Sequence, residues 1–147
     1  MFKKIDHVTL VVKDLDEALD SYRKILNLKP ETGRPPGDLP ECRLAMLNTS
    51  AGARIELIQP KPEVKTRFSR FLEERGEGVF GLSIFVTDFD AEIDRLKNNG
   101  IPFENDYQKS VHPQYPFRIA WVPPENGHGV WLEFVDADAL PPGIKPE

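Results

Sequence analysis

One cysteine in 147 residues, Cys42, leaves no partner for an internal disulfide. A single thiol with no base near it in sequence reads as an ordinary strand residue and suits a reducing cytosol. No apolar run approaches the roughly 18 residues that a membrane-spanning helix needs. The opening MFKKIDHVTLVV sets basic residues before an apolar stretch, but Asp6 and His7 interrupt it. No small-residue cleavage site follows, so a signal peptide is not expected. A basic surplus is missing as well: 24 acidic against 19 basic residues give a net charge of −5, which argues against a nucleic-acid binder. What remains is a chain 39% apolar and 29% charged, an ordinary composition for a soluble protein, with length enough for one domain and its core. A cytoplasmic setting is expected.

What is present is a repeat. HVTLVVKDLD, from His7, and GLSIFVTDFD, from Gly81, align with Leu10 over Ile84, Val12 over Val86, and the aspartates in step. The histidine that opens the first copy is a glycine in the second. IDHVTLVV alternates and is rich in β-branched residues, which predicts a strand. DLDEALDSYRKILN then switches to helical spacing, with Asp14 and Glu17 forming a capping-box-like start. CRLAMLN and ARIELIQP follow as strands. The second half repeats this order in GLSIFVTD, DFDAEIDRLKNNG, RIAWVPP and GVWLEFVD, with Gly100 closing the helix. Arg43 falls over Arg118, and Glu56 over Glu133.

The pattern predicts an α+β fold: two tandem βαβββ modules whose curved mixed sheets surround a central cavity, each with its helix on the outer face. The modules span 1–60 and 77–136 within a single domain over 1–136. A linking helix covers 61–76, with Val64, Phe68, Phe71 and Leu72 at helical spacing. A proline-rich tail, 137–147, is loosely held. Strand alternation sends Val8, Leu10, Val12, Ile55, Leu57, Val130, Leu132 and Phe134 to the helices. His7, Glu56 and Glu133 then face inward, with Gly81, Ser83 and Phe85 as the inward set of the second copy.

With these residues in place, the chain resembles the vicinal oxygen chelate superfamily, which includes glyoxalase I, methylmalonyl-CoA epimerase, extradiol dioxygenases and the bleomycin resistance proteins. The resemblance covers roughly residues 4 to 136. It rests on DHVTLVVKDLDEALDSYRKILNL, ARIELIQP, RGEGVFGLSIFVTDFDAEIDRLKNNGI and HGVWLEFV. FLEERGEG looks most like the methylmalonyl-CoA epimerase branch. The resemblance implies one divalent metal held from four equivalent strand positions, which fall on His7, Glu56, Gly81 and Glu133. The epimerase branch has a histidine pair where this chain has Phe80 and Gly81, so three ligands remain: His7, Glu56 and Glu133. Glu133 is also the implied base. The expected partner is a small molecule, with neither nucleic acid nor membrane, and a homodimer is implied.

One imidazole and two carboxylates suit Mg, Mn or Ca better than soft metals, and would be an unusual set for zinc; the divalent ions expected are Mg, Mn, Co, Ni or Zn. A non-haem iron oxygenase wants two histidines and one carboxylate, which this set lacks. The resemblance therefore implies an isomerase or lyase that stabilises an enolate of a small carbonyl or acyl-thioester compound. The alternative is a metal-free small-molecule binding protein of the bleomycin-resistance type, with Phe85, Trp121 and Trp131 lining the cavity. Glu41 and Asp38 are further carboxylates near the strand that begins at Cys42. His112 and His128 read as solvated loop residues. Arg43 and Arg118 could hold an anionic substrate or lie in solvent.

Overall fold

The computed structural model describes residues 1–31, 37–49, 52–105 and 118–140. Each half carries a βαβββ module, as the repeat predicts. In the first, β1 (Phe2–Val11) leads to α1 (Leu15–Leu26), then β2 (Gly37–Asp38), β3 (Cys42–Asn48) and β4 (Arg54–Pro60). α2 (Arg67–Arg75) connects to the second: β5 (Gly78–Val86), α3 (Phe89–Asn98), β6 (Glu104–Asn105), β7 (Ile119–Val122) and β8 (Trp131–Asp136). Among the described residues no helix is long and apolar enough to cross a membrane.

The chain forms two compact units. One is His7–Phe80; the other joins Met1–Asp6 to the chain from Gly81 onward, so β1 begins in one unit and ends in the other. In the His7–Phe80 unit the strand order is β2-β3-β4-β1. β3 runs antiparallel to both neighbours, and β4 pairs in parallel with β1. α1 starts where the Asp14 carboxylate accepts the Glu17 N–H at 2.9 Å and stops at Asn27, whose φ of 56° is left-handed. Its inner stripe packs on Leu10, Val12, Ala45, Leu47, Ile55 and Leu57. Ala45, Leu47 and Leu57 are essentially inaccessible, and Leu10, Val12, Ile55 and Leu57 take the helix side that the sequence alternation assigns them.

The helix expected over 61–76 starts six residues late, at Arg67. Pro62 biases Lys61 away from helical geometry. The Lys61 N–H instead bonds the Glu41 carbonyl at 3.0 Å, and the Val64 N–H closes a turn on Lys61. Thr66 and Ser69 then form a reciprocal capping box. Phe68 and Phe71 lay their rings on Phe80, with centroids 4.8 and 5.5 Å away. Phe80 is fully buried.

In the other unit, the first residues of β1 lie beside β5, followed by β8, β7 and β6. β5 pairs with β8 in parallel, and β7 is antiparallel to β8 and β6. α3 covers Leu82, Ile84, Val86, Ala120, Leu132 and Phe134. After β8, a turn of 3-10 helix (Ala137–Ala139) forms as Asp136 accepts the Asp138 N–H. Ala137 and Leu140 are buried, so these two residues at the start of the expected loose tail pack onto the fold.

Arg43 and Arg118 do equivalent work in the two modules. Arg43 on β3 reaches Asp16 in the first turn of α1, at 3.2 and 3.3 Å. Arg118, just before β7, reaches Asp90 in the first turn of α3 at 2.7 Å and Asp136 at 2.9 Å. Both lie on helix-bearing faces. They pin a helix N-terminus to its own sheet, which neither sequence reading of them foresaw.

Cys42 is a buried strand residue, as expected. Burial, and then the charges of Glu56 and Glu41, push its thiol up to about 12. Because the thiolate is the reactive form, the folded protein should resist N-ethylmaleimide at pH 8 and take up one label on unfolding. Mass spectrometry reads this, and rapid labelling of the folded protein would contradict it.

Candidate functional site

In the His7–Phe80 unit, α1 takes Leu10, Val12, Ile55 and Leu57. The residues between them, His7, Thr9, Arg54 and Glu56, therefore turn to the helix-free face. β1 and β4 pair His7 with Arg54 and Thr9 with Glu56, so these four side chains form two adjacent rows. The Thr9 hydroxyl donates to Glu56 Oε1 at 3.1 Å, and His7 Nε2 stands 3.7 Å from the same oxygen. The second distance is too long for a hydrogen bond. The side chains of His7 and Glu56 are only 9% and 17% exposed, so water screens their interaction weakly.

Arg54 was not singled out in the sequence. It shares the parity of Glu56, which was the available signal. Its Nη1 lies 3.5 Å from both carboxylate oxygens of Glu31. Glu31 is held beside β3 by its own N–H, which bonds the Met46 carbonyl at 2.8 Å, next to a Pro30–Leu47 bridge.

Neither Asp38 nor Glu41 joins this face. Asp38 pairs in register with Arg43 and so shares the α1 side. Its carboxyl is bonded to Lys61 at 2.5 Å, which holds it below the usual carboxylate range. Glu41 precedes β3, whose helix-free positions are Cys42, Leu44 and Met46.

In the other unit, Glu133 on β8 lies on the helix-free face, flanked in register by Ser83 on β5 and Trp121 on β7. Trp121 and Trp131 meet edge to face at 6.2 Å. Ser83 is fully buried, and its hydroxyl has no hydrogen-bond partner among the described residues. Gly81 is closed off: a Cβ built there would lie 2.4 Å from the Trp131 carbonyl oxygen. His128 is exposed in a left-handed turn, φ 54°. His112 lies outside the described residues.

The profile of the glyoxalase/bleomycin resistance protein/dioxygenase superfamily matches residues 6–135. The chain belongs to this family. Its fold is that of methylmalonyl-CoA epimerase from Mycobacterium tuberculosis, at 29% identity and TM-score 0.71 over 90% of this chain and 86% of that one. A hypothetical protein from Bacillus halodurans aligns at 27% identity and TM-score 0.74, covering 90% of this chain and 93% of that one. A Streptomyces coelicolor methylmalonyl-CoA epimerase in complex with 2-nitronate-propionyl-CoA shares the fold at 23% identity and TM-score 0.74, over 92% and 98% of the two chains. No curated protein matches the chain.

Among the described residues no three His, Cys, Asp or Glu side chains gather as a metal-holding group. His7 and Glu56 supply two donors side by side, Glu133 belongs to the other unit, and position 81 has no room for a side chain. The gathered donors do not by themselves fit a four-position metal centre.

Proposed function

We propose that this chain is an isomerase- or lyase-type member of its family, moving a proton beside the carbonyl of a small carbonyl or acyl-thioester compound. The observation that carries the reading is the largely buried His7–Glu56–Thr9 cluster on a helix-free face. The 29% identity to an epimerase supports it. Thr9 fixes Oε1 of Glu56 and leaves Oε2 to take the proton from the carbon next to the carbonyl. The C–H electron pair moves onto the carbonyl oxygen as an enolate, and a His7 N–H directed at that oxygen stabilises it. Returning the proton to carbon completes the cycle.

The family resemblance supports Glu133 as a second candidate base, and supports a Mg, Mn, Co, Ni or Zn ion held by His7, Glu56 and Glu133. No step above depends on the ion. A homodimer in the cytoplasm belongs to the same proposal and rests on the resemblance and the composition.

The test is proton NMR of methylmalonyl-CoA in D₂O with the protein, with and without each of those ions. Loss of the α-proton signal is expected. Glu56→Gln should slow it by about a hundredfold or more, the usual range for removing a general base. An equal loss in Glu133→Gln would move the base to that residue. If wild-type protein gives no exchange under any condition, the enzyme reading fails. The second reading, a metal-free binding protein, would then stand; the closed backbone at Gly81 and the Trp121–Trp131 pair favour it.

A further inference from the structure

Two Asn–Gly pairs occur in the chain, Asn99–Gly100 and Asn126–Gly127. An asparagine side chain before glycine is open to attack by the next backbone nitrogen, because glycine has no Cβ to obstruct the approach. The structure treats the two pairs differently. Asn99 caps α3, and its Nδ2 donates to the Arg95 carbonyl at 2.8 Å, so the amide that would have to leave is anchored to the helix end. Asn126 is exposed, in the turn 124–129 that joins β7 to β8. The Asn126 and Gly127 N–H groups share the Pro123 carbonyl at 3.0 and 3.2 Å, and the second distance is at the long end for such a bond. Position 127 also has to be glycine: a Cβ there would lie 2.1 Å from the Val130 carbonyl oxygen. No substitution at 127 can therefore shield Asn126 without parting the turn.

We propose that Asn126 is a site of spontaneous covalent modification, where the folded turn converts asparagine to aspartate and isoaspartate. The Gly127 nitrogen bonds to Cγ of Asn126, the Cγ–Nδ2 bond breaks, and the proton lost from Gly127 departs on the ammonia. The product is a cyclic succinimide, which water opens at either carbonyl. Opening at Cγ gives aspartate on an unchanged main chain. Opening at the main-chain carbonyl carbon gives isoaspartate, whose chain runs through Cβ and Cγ and is longer by a methylene. A turn whose residue 127 already lies against the Val130 backbone has no room for that methylene. Isoaspartate should therefore break the bonds to Pro123 and Pro124 that close the turn, immediately before the strand that carries Glu133.

Peptide mapping by mass spectrometry, after the folded protein has been held at mildly alkaline pH, tests the inference. Acid should accumulate at Asn126, with isoaspartate in the same peptide. Asn99 should react about tenfold more slowly, the rate equivalent of one hydrogen bond. In urea the two sites should react alike, and Asn126→Gln should suppress the product at 126. Equal rates at the two sites in the folded protein would overturn the inference, as would a folded-state rate at Asn126 far below that in urea. Thermal melts read the effect on the turn separately. The isoaspartate form, isolated by ion exchange, should unfold at a lower temperature than fresh Asn126→Asp, which carries the same charge on a main chain of normal length. Equal midpoints would show that the turn accommodates the methylene, and would overturn that half of the inference.

Discussion

Replacing Gly81 with histidine is expected to destabilise the protein and to create no metal site. The family resemblance makes Gly81 the position of a missing ligand, but the atom a new Cβ would strike there is the Trp131 carbonyl oxygen, 2.4 Å away, with the Trp131 Cβ at 3.0 Å. Trp131 pairs with Gly81 in the parallel β5–β8 ladder. The oxygen cannot retreat as a flexible side chain would; the ladder has to part. Overpacking typically costs 1–3 kcal/mol, and a backbone obstacle belongs at the upper end, about 3 kcal/mol. For a chain of this size that is a fall of roughly 6–12 °C in Tm. Gly81→Ala should show most of the loss. Gly37→Ala, whose Cβ would meet nothing nearer than the Leu44 side chain at 3.9 Å, should stay within about 1 kcal/mol of wild type. Circular dichroism melts decide it: Gly81→Ala as stable as Gly37→Ala would refute the close approach.

Arg118→Met is expected to cost several times what Arg43→Met costs, although the two arginines occupy repeated positions. The difference lies in their acceptors. Asp16, the partner of Arg43, is 74% exposed, so water replaces the arginine and little stability is lost. Asp136, one partner of Arg118, is only 5% exposed. Without Arg118 its carboxylate stays buried, with the Asp138 N–H at 3.1 Å still donating to it. Breaking a buried pair usually costs 3–5 kcal/mol. Arg118 itself is 37% exposed, so screening lowers the expectation to about 2 kcal/mol. The Arg118 guanidinium also lies 4.8 Å from the Phe89 ring, a stacking contact that methionine replaces only in part. Urea unfolding at low and high salt separates the cases: the Arg43 effect should fade with salt, and most of the Arg118 effect should persist. Equal losses would mean that burial of Asp136 does not set the difference.

The fold was legible because β-strands alternate and amphipathic helices repeat, and both patterns are local. That let His7 and Glu56 be placed on one face before any coordinates. Arg54 had the same parity, but a charged strand residue is usually solvated, so alternation alone did not mark it. The closure at Gly81 was not legible, since it is a contact between residues distant in sequence. The same holds for the aspartates that engage Arg43 and Arg118, and for Asp38, whose face depends on how a two-residue strand pairs. The start of α2 was readable in principle from Pro62 and from Thr66 three residues before Ser69. The apolar spacing of Val64 with Phe68 overrode those signals.

The outermost strands of the two orders, β2 and β6, are each two residues long. Exposed strand edges invite another polypeptide to continue the ladder, the first step toward edge-to-edge aggregation. A foreign strand approaching β2 or β6 finds a pairing template only two residues long, too short to hold it. The long strands β1, β4, β5 and β8 have neighbours on both sides, so the chain can keep β-branched, aggregation-prone segments such as HVTLVV in its interior while giving other chains little to template on.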